Sequence, residues 1–550
     1  MDQPTGSPNQ SILDLRLAGS WSGDEPGWSE RRVRRWLRYF LVLGIALRLV
    51  RYGLKHPLWS DEAFLSFNIL NRDFSDLMKP LDYQQVCPLL FLWAEKATSL
   101  VLGFSEWSLR LIPTMASIAS LFLFRHVAGR LLKGQALVLA VAFLAVAFTP
   151  IRHGGEVKPY ATDFLVALGL IALAVEWLRN QASSASLWGL AAFGPLAVGL
   201  SNPAIFLAAS IGLVLALPVL KTRSHNAIVP FVLFGLFSAG TFLWLSRVVN
   251  APQSAKVMDW MKVYWAGAFP PKSLDRLIVW LARTHTSQMF AYPGGGDRGA
   301  STLTTVLFLA AIAAYWRRGS KTILALFLVP FAFGLIAASL GRYPYGGSAR
   351  TMQYVAPAIL LMGGLGAAVA LARLPRLKWR NRGSHIVLTI LLVVGVGMIA
   401  WDVVHPYKIV FDQTSRNHAR RIWKEESDGA ELLCAKTDLQ LPLDELAWQG
   451  NRAAMYLCNQ AIYSKRPWIG PAKRFDLVSE SHPLRIVVFR ETETDRAVLS
   501  CWLSDHGKRF EHRSRRERVI NQDAILGKVS FEEVYVIYEF VPRRVGERRS

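Results

Sequence analysis

The chain has 550 residues, of which 52% are hydrophobic and 19% charged, and its mean hydropathy is +0.25. This composition, together with long charge-free apolar runs, excludes an ordinary soluble protein. The 63 Lys and Arg residues outnumber the 40 Asp and Glu residues, which gives a net charge of +23. Because the basic residues stand in short clusters between apolar runs, they are typical of membrane topology and argue against nucleic-acid binding.

The chain begins with a polar segment, residues 1–30, that has no apolar signal-peptide core. We expect a disordered N-terminus there. A basic cluster follows and should hold this end in the cytoplasm; its members are Arg31, Arg32, Arg34, Arg35 and Arg38. The first apolar segment, residues 36–54, carries Arg48 and Arg51 near its far end. These arginines either snorkel to the interface or face an anionic ligand.

Ten further apolar segments approach the roughly 20 residues that cross a bilayer. They lie near residues 109–124, 135–150, 161–176, 187–201, 203–219, 228–246, 301–316, 322–340, 353–372 and 385–403. The sequence therefore predicts a polytopic α-helical protein with about 11 transmembrane helices, integral to the inner (cytoplasmic) membrane.

Segment 87–103 is ambiguous, because it is apolar but carries Glu95 and Lys96 in its middle. If it crossed the membrane, every later segment would invert, and the basic clusters that follow several of them would face outside. That orientation contradicts the positive-inside rule. We therefore place the segment beside the membrane, in the first outer loop, and the alternative that it crosses stays open.

This topology divides the chain into a transmembrane domain, residues 31–404, and a tail, residues 405–550. The loops expected on the outer face are 55–107, 151–160, 247–300 and 341–352. The tail alternates charged stretches with β-rich runs at residues 484–489 and 533–538, and residues 416–426 have helical spacing. We expect the tail to be a small, extracytoplasmic, soluble α/β domain.

An acidic pair, Asp61 and Glu62, follows the first apolar segment beside Trp59. A desolvated carboxylate can act as an acid or base near neutral pH. The alternative is a structural role: an acidic pair is common at the N-cap and first turn of a helix, where its charge interacts favourably with the helix dipole.

Four cysteines show no zinc-ligand spacing, and an outer location would allow one disulfide among Cys434, Cys458 and Cys501.

Four short motifs on the expected outer side resemble bacterial membrane glycosyltransferases of the GT-C superfold. This group is related to protein O-mannosyltransferases and lipid A aminoarabinose transferases. The motifs are Trp59-x-Asp61-Glu62, residues 105–113, Glu156-x-Lys158-Pro159-Tyr160 and residues 342–350. The resemblance covers roughly residues 36–403 and excludes the tail.

The resemblance implies a GT-C-like transmembrane domain and a polyprenyl-phosphate-linked sugar donor. It implies that Asp61 is the catalytic carboxylate, with Glu62 beside it. Further substrate-binding positions are Glu156, Lys158, Tyr160, Tyr345, Arg350 and Arg51. The turn from His153 to Glu156 departs from the Asp-x-Glu metal turn of oligosaccharyltransferases, so a divalent metal is in doubt and we predict no metal or other cofactor.

These observations predict an inverting glycosyltransferase whose acceptor is the hydroxyl of a glycan, lipid or protein outside the cytoplasm. Transfer needs a base for the acceptor proton, Asp61, and cations for the departing phosphate, Lys158 and Arg350. Two other functions stay open. A transporter or flippase of a lipid-linked sugar would use the same charges without reaction, and a membrane scaffold would act through its tail.

Overall fold

A computed structural model describes the chain over residues 28–82, 85–249, 261–317, 321–408, 431–435, 483–489, 491–506, 510–522 and 531–543, with isolated positions between 412 and 462. Two sequence predictions therefore fall largely outside the described residues. These are the disordered N-terminus and the helix over residues 416–426.

Each predicted apolar segment contains a helix. In chain order the helices are α1 Glu30–Gly53, α2 Ser60–Asn71, α3 Leu89–Leu102, α4 Glu106–Leu131, α5 Gly134–Ala145, α6 Phe148–Gly154, α7 Tyr160–Arg179, α8 Ala185–Leu200, α9 Ala204–Thr222, α10 His225–Trp244, α11 Leu274–Thr286, α12 Thr302–Arg317, α13 Lys321–Ser339, α14 Ala356–Ala372 and α15 Leu377–Val404. The polytopic helical fold is thereby confirmed.

The number of membrane crossings is less sharply defined than the number of helices. Among the described residues, six helices are long and apolar enough to cross a bilayer, or seven if the bent pair α5 and α6 counts as one span. Helices α8, α12 and α14 are apolar but shorter. The protein is integral to a membrane, while the count of eleven crossings stays a prediction.

The segment predicted as one span over residues 135–150 is broken in the structure. Helix α5 ends at Ala145, and α6 continues at an angle of 47°. Arg48 lies buried at this break, where Nε donates to Ser117 Oγ at 2.8 Å and Nη1 and Nη2 approach the carbonyls of Ala145 and Leu144 at 3.4 Å. Arg48 therefore does not snorkel, and it binds carbonyls at the end of α5.

The centre of the bundle is packed around α5, in which every residue from Val138 to Ala145 is buried. Helix α14 crosses it closely, since a Cβ on Gly364 would lie 2.4 Å from Ala140 Cα. A Cβ on Gly366 would lie 1.8 Å from the backbone oxygen of Leu307 on α12. Small residues at these contacts allow helix backbones to approach closely inside a membrane.

Helices α2 and α3 form a cap on one end of the bundle. Helix α3 has 14 residues, hence a length of about 21 Å, which is less than the hydrocarbon thickness of about 30 Å. An apolar cluster joins this cap to the bundle and to the tail; its members include Leu58, Phe91, Leu109, Val157 and Ile462. The site described below lies under this cap.

The tail contains a four-stranded sheet with the order β1-β2-β4-β3. The strands are β1 Glu431–Ala435, β2 Leu484–Phe489, β3 Phe510–Gln522 and β4 Phe531–Pro542, and helix α16, Glu493–His506, connects β2 to β3. Strands β1 and β2 are parallel, and the other two pairs are antiparallel. The predicted small α/β domain is confirmed. Cys501 is a free, exposed thiol, while Cys458 and the Cys434 side chain lie outside the described residues.

Candidate active site

A cavity of about 420 Å³ lies between the cap and the bundle. One wall is polar and is formed by Asp61, Gln85, Lys158, Tyr160, Arg342 and Arg350. The other wall is apolar and is formed by Val198, Ile205, Phe206, Phe242, Leu245 and Ala337 from α8, α9, α10, the turn after α10, and α13. A cavity with these two walls suits an amphiphile that has a charged head and an apolar chain.

Asp61 reaches the polar wall from the first turn of α2, and its side chain is 31% exposed. Its Oδ2 accepts a hydrogen bond from Arg350 Nη1 at 3.0 Å. Arg350 stands in a short 3₁₀ turn, Ala349–Met352, where its guanidinium packs 4.8 Å from the Trp265 ring centroid. The ion pair therefore brings together two chain segments that are far apart in sequence, and both predicted residues face the cavity.

Lys158 lies on the same wall and is buried. Its Nζ donates to Gln85 Oε1 at 2.6 Å. Burial lowers the pKa of Lys158, and the Asp61 carboxylate opposes that shift. Arg342 also lines the cavity. It belongs to the motif over residues 342–350 but is not among the predicted site residues. The lining of the cavity thus includes three cations, Lys158, Arg342 and Arg350, in addition to the carboxylate of Asp61.

Glu62 faces away from the cavity and makes a buried clamp. Arg110 Nη2 donates to both of its carboxylate oxygens at 2.9 Å, and the Val157 N–H donates to Oε1 at 2.8 Å. The Trp59 N–H approaches Oε2 at 3.3 Å at the start of α2. Glu62 therefore holds α2, α4 and the turn before α7 together, a positioning role that differs from the predicted catalytic one.

Three other predicted residues also lie away from the lining of the cavity. Arg51 Nη1 donates to both oxygens of Asp402 at 2.8 Å, so it joins α1 to α15. Glu156 accepts from Arg152 Nε at 2.7 Å and lies 2.9 Å from His153 Nδ1. The hydroxyl of Tyr345 lies 3.0 Å from His285 Nε2. The positions of these three residues therefore argue against direct contact with a substrate in the cavity.

Asp163 also lines the cavity, although it is not among the predicted site residues. It lies on α7 one turn after Tyr160, and its side chain is buried. A carboxylate within an otherwise apolar membrane helix was the available signal. The apolar wall was not predictable in the same way, since its residues resemble ordinary lipid-facing positions in the sequence.

The start of the tail contacts the cap beside the site. Lys408 Nζ lies 2.9 Å from the Trp59 ring centroid, and burial, followed by the Arg152 charge, lowers the pKa of Lys408 to about 8. The Arg416 guanidinium donates to the Lys55 carbonyl, and Ile462 packs in the apolar cluster with Leu58. Local sequence patterns could not predict these contacts, because the contacts join segments more than 300 residues apart.

The described residues contain no group of three or more His, Cys, Asp or Glu side chains placed to hold a metal ion. This observation applies only to the described part of the chain. The expectation that the protein works without a metal therefore stays a prediction.

Comparisons with known proteins give structural likenesses and no match at the sequence level: no family model and no curated protein matches. The structure aligns with that of ArnT from Cupriavidus metallidurans in the apo state (12% identity, 92% of this chain and 98% of that chain, TM-score 0.49) and bound to undecaprenyl phosphate (13%, 91% and 98%, 0.47). It also aligns with the Archaeoglobus fulgidus oligosaccharyltransferase in the apo form (10%, 88% and 70%, 0.46). At such identities and TM-scores, these likenesses by themselves do not establish a shared activity.

Proposed function

We propose that this protein is a membrane glycosyltransferase that moves a sugar from a polyprenyl-phosphate donor to a hydroxyl on the outer side of the cytoplasmic membrane. The observation that carries the proposal is the cavity, which is lined by the charged residues Asp61, Lys158, Arg342 and Arg350 together with apolar side chains from the membrane helices. The donor that fits both walls has a phosphate head and an isoprenoid chain.

The proposed reaction is a single displacement at the anomeric carbon. The acceptor oxygen forms a bond to this carbon as the bond to the phosphate oxygen breaks, which inverts its configuration. Asp61 removes the acceptor proton, and the polyprenyl phosphate leaves with the electron pair of the broken bond. Lys158, Arg342 and Arg350 offset the negative charge that develops on the departing phosphate.

Arg350 is suited to two contacts at once. A guanidinium carries five N–H donors in a planar fork and can grip phosphate through two parallel hydrogen bonds. One Nη already orients Asp61 at 3.0 Å. The same cation can therefore align the base and bind the donor phosphate, which places the reacting groups within one cluster.

The experiment compares Asp61→Asn with Arg350→Ala in vesicles, measuring donor binding and sugar transfer separately. Asn keeps the size and most of the hydrogen bonding of Asp but loses its basicity. We expect Asp61→Asn to lower turnover by about 100- to 10,000-fold with little change in donor affinity. Arg350→Ala should instead weaken donor binding by about 1.5–3 kcal/mol, because a charged hydrogen bond to phosphate is lost.

Full transfer activity in Asp61→Asn would reject Asp61 as the base. Transport of a lipid-linked sugar without transfer, unaffected by Asp61→Asn, would favour the transporter. A membrane scaffold predicts neither donor binding nor sugar transfer, in wild type or in either variant. The expected pattern, with loss of turnover in one variant and loss of binding in the other, is specific to the transferase.

A further inference from the structure

A second cavity, which we call the far groove, lies toward the other end of the bundle and has a volume of about 370 Å³. It is lined by Leu37, Phe122, Arg125, His126, Gly129, Arg130 and Leu137. Helix α4 carries Arg110 near the site at its start and Arg125 in the groove near its end. Since an α-helix rises about 1.5 Å per residue, roughly 22 Å separate these two levels. The far groove is therefore distinct from the proposed active site.

The inner surface of the far groove is apolar. Leu37 on α1 is buried and Phe122 on α4 is half-exposed. Leu137 on α5 is partly buried, so its exposure lies between those of the other two residues. At Gly129 a Cβ would meet no atom within 4 Å, so open space adjoins this position. The groove can therefore receive an alkyl chain between α1, α4 and α5.

The rim of the far groove is basic. Arg130 Nε pairs with Glu176 Oε1 at 2.7 Å, and His126 Nε2 lies 2.8 Å from the same oxygen, so the Glu176 charge is already balanced. The side chain of Arg125 is exposed and has no hydrogen-bond or ion-pair partner within the described part of the chain. Its positive charge is available to a ligand, and it lies six residues, about 9 Å, before the end of α4.

We propose that the far groove binds an anionic phospholipid, with its phosphate on Arg125 and an acyl chain over Phe122 and Leu137. A phosphate diester supplies the negative charge that the rim lacks, and the acyl chain covers the apolar surface. Basic pockets between transmembrane helices recognise anionic head groups in this way. Free phosphate is also an anion but has no acyl chain, so it could contact only the rim.

The test is native mass spectrometry of the full chain, titrated with phosphatidylglycerol. Wild type and variant are measured together, so that the affinities for the first bound lipid are compared directly. We expect Arg125→Gln to weaken this first binding by about fivefold. Gly129→Leu keeps every charge but fills the open space, so it should weaken binding as well. In phosphatidylcholine the choline cation balances the phosphate charge, so its binding should be weaker in wild type and should change less than that of phosphatidylglycerol in Arg125→Gln.

Lys221→Gln is the matched control, because it removes one exposed positive charge at the end of α9. It should leave the first binding step unchanged. Equal losses in Lys221→Gln and Arg125→Gln, or no loss in Arg125→Gln, would overturn the proposal. Displacement of phosphatidylglycerol by millimolar glycerol phosphate would overturn the lipid assignment in favour of a free phosphate. None of these readouts depends on sugar transfer, so they stand apart from the proposed function.

Discussion

Lys158 is a buried cation of the cavity whose charge depends on its surroundings. Burial disfavours the charged ammonium and lowers the pKa of Lys158 below that of an exposed lysine, about 10.4. The proposed phosphate contact needs the protonated form. Donor affinity should therefore fall as the pH rises, and should begin to fall at a lower pH than an exposed lysine would allow. Donor binding measured across the alkaline range checks this expectation.

Lys158→Arg provides the control for this pH dependence. Arginine stays charged throughout the alkaline range, so the variant should bind donor with a flatter pH profile even if its affinity is lower. The same decline in wild type and Lys158→Arg would show that another group titrates.

Asp61 and Glu62 show how two adjacent carboxylates acquire different roles. Successive residues in a helix point about 100° apart, so only one of them can face a given cavity. Asp61 faces the cavity and Arg350, whereas Glu62 is buried against Arg110. The sequence placed an acidic pair at the site but could not distinguish which carboxylate was accessible, because the distinguishing partner lies 48 residues away.

At the scale of elements, the Glu62–Arg110 clamp determines how α2 lies on the bundle. Both side chains are 2% exposed. Removing one partner leaves the other charge buried and unpaired, at a cost of about 3–5 kcal/mol. We expect Glu62→Gln to lower the melting temperature in detergent micelles and to lower turnover as well, because α2 also carries Asp61.

Two further variants test this interpretation of the clamp. Glu30→Gln breaks an exposed pair with Arg34 and should leave the melting temperature nearly unchanged. Glu62→Leu combined with Arg110→Met removes both charges and should recover stability relative to Glu62→Gln. A stable Glu62→Gln protein that lacks turnover would instead return Glu62 to a direct chemical role.

The whole molecule must place the cap and its cavity on the outer side of the membrane for the proposed reaction. In a background without native cysteines, an impermeant thiol reagent added outside should label Lys79→Cys on the cap. It should not label Lys133→Cys, which lies between α4 and α5 at the other end of the bundle. The basic clusters predict this orientation through the positive-inside rule. Labelling of Lys133→Cys from outside would reverse the topology.

We expect the tail to modulate or present the acceptor, and we expect the donor site to form without it. Every described residue that lines the cavity precedes the tail. A chain ending after Lys408 should therefore bind donor with near wild-type affinity while losing transfer. A chain ending after Tyr407 lacks in addition the contact with Trp59, so comparing the two isolates Lys408. Loss of donor binding in both folded variants would indicate that the tail completes the site.

The sequence by itself determined the helical membrane fold, because apolar runs of about 20 residues have few other stable states in a bilayer. It also identified the β-rich runs at residues 484–489 and 533–538, which lie in β2 and β4, and four cavity residues, namely Asp61, Lys158, Tyr160 and Arg350. Only the tertiary structure decided which polar groups are partners. Glu62, Arg51 and Glu156 carry the same charges as residues in the site, but Arg110, Asp402 and Arg152 bind them. Such pairings depend on how helices distant in sequence pack together, which local patterns do not encode.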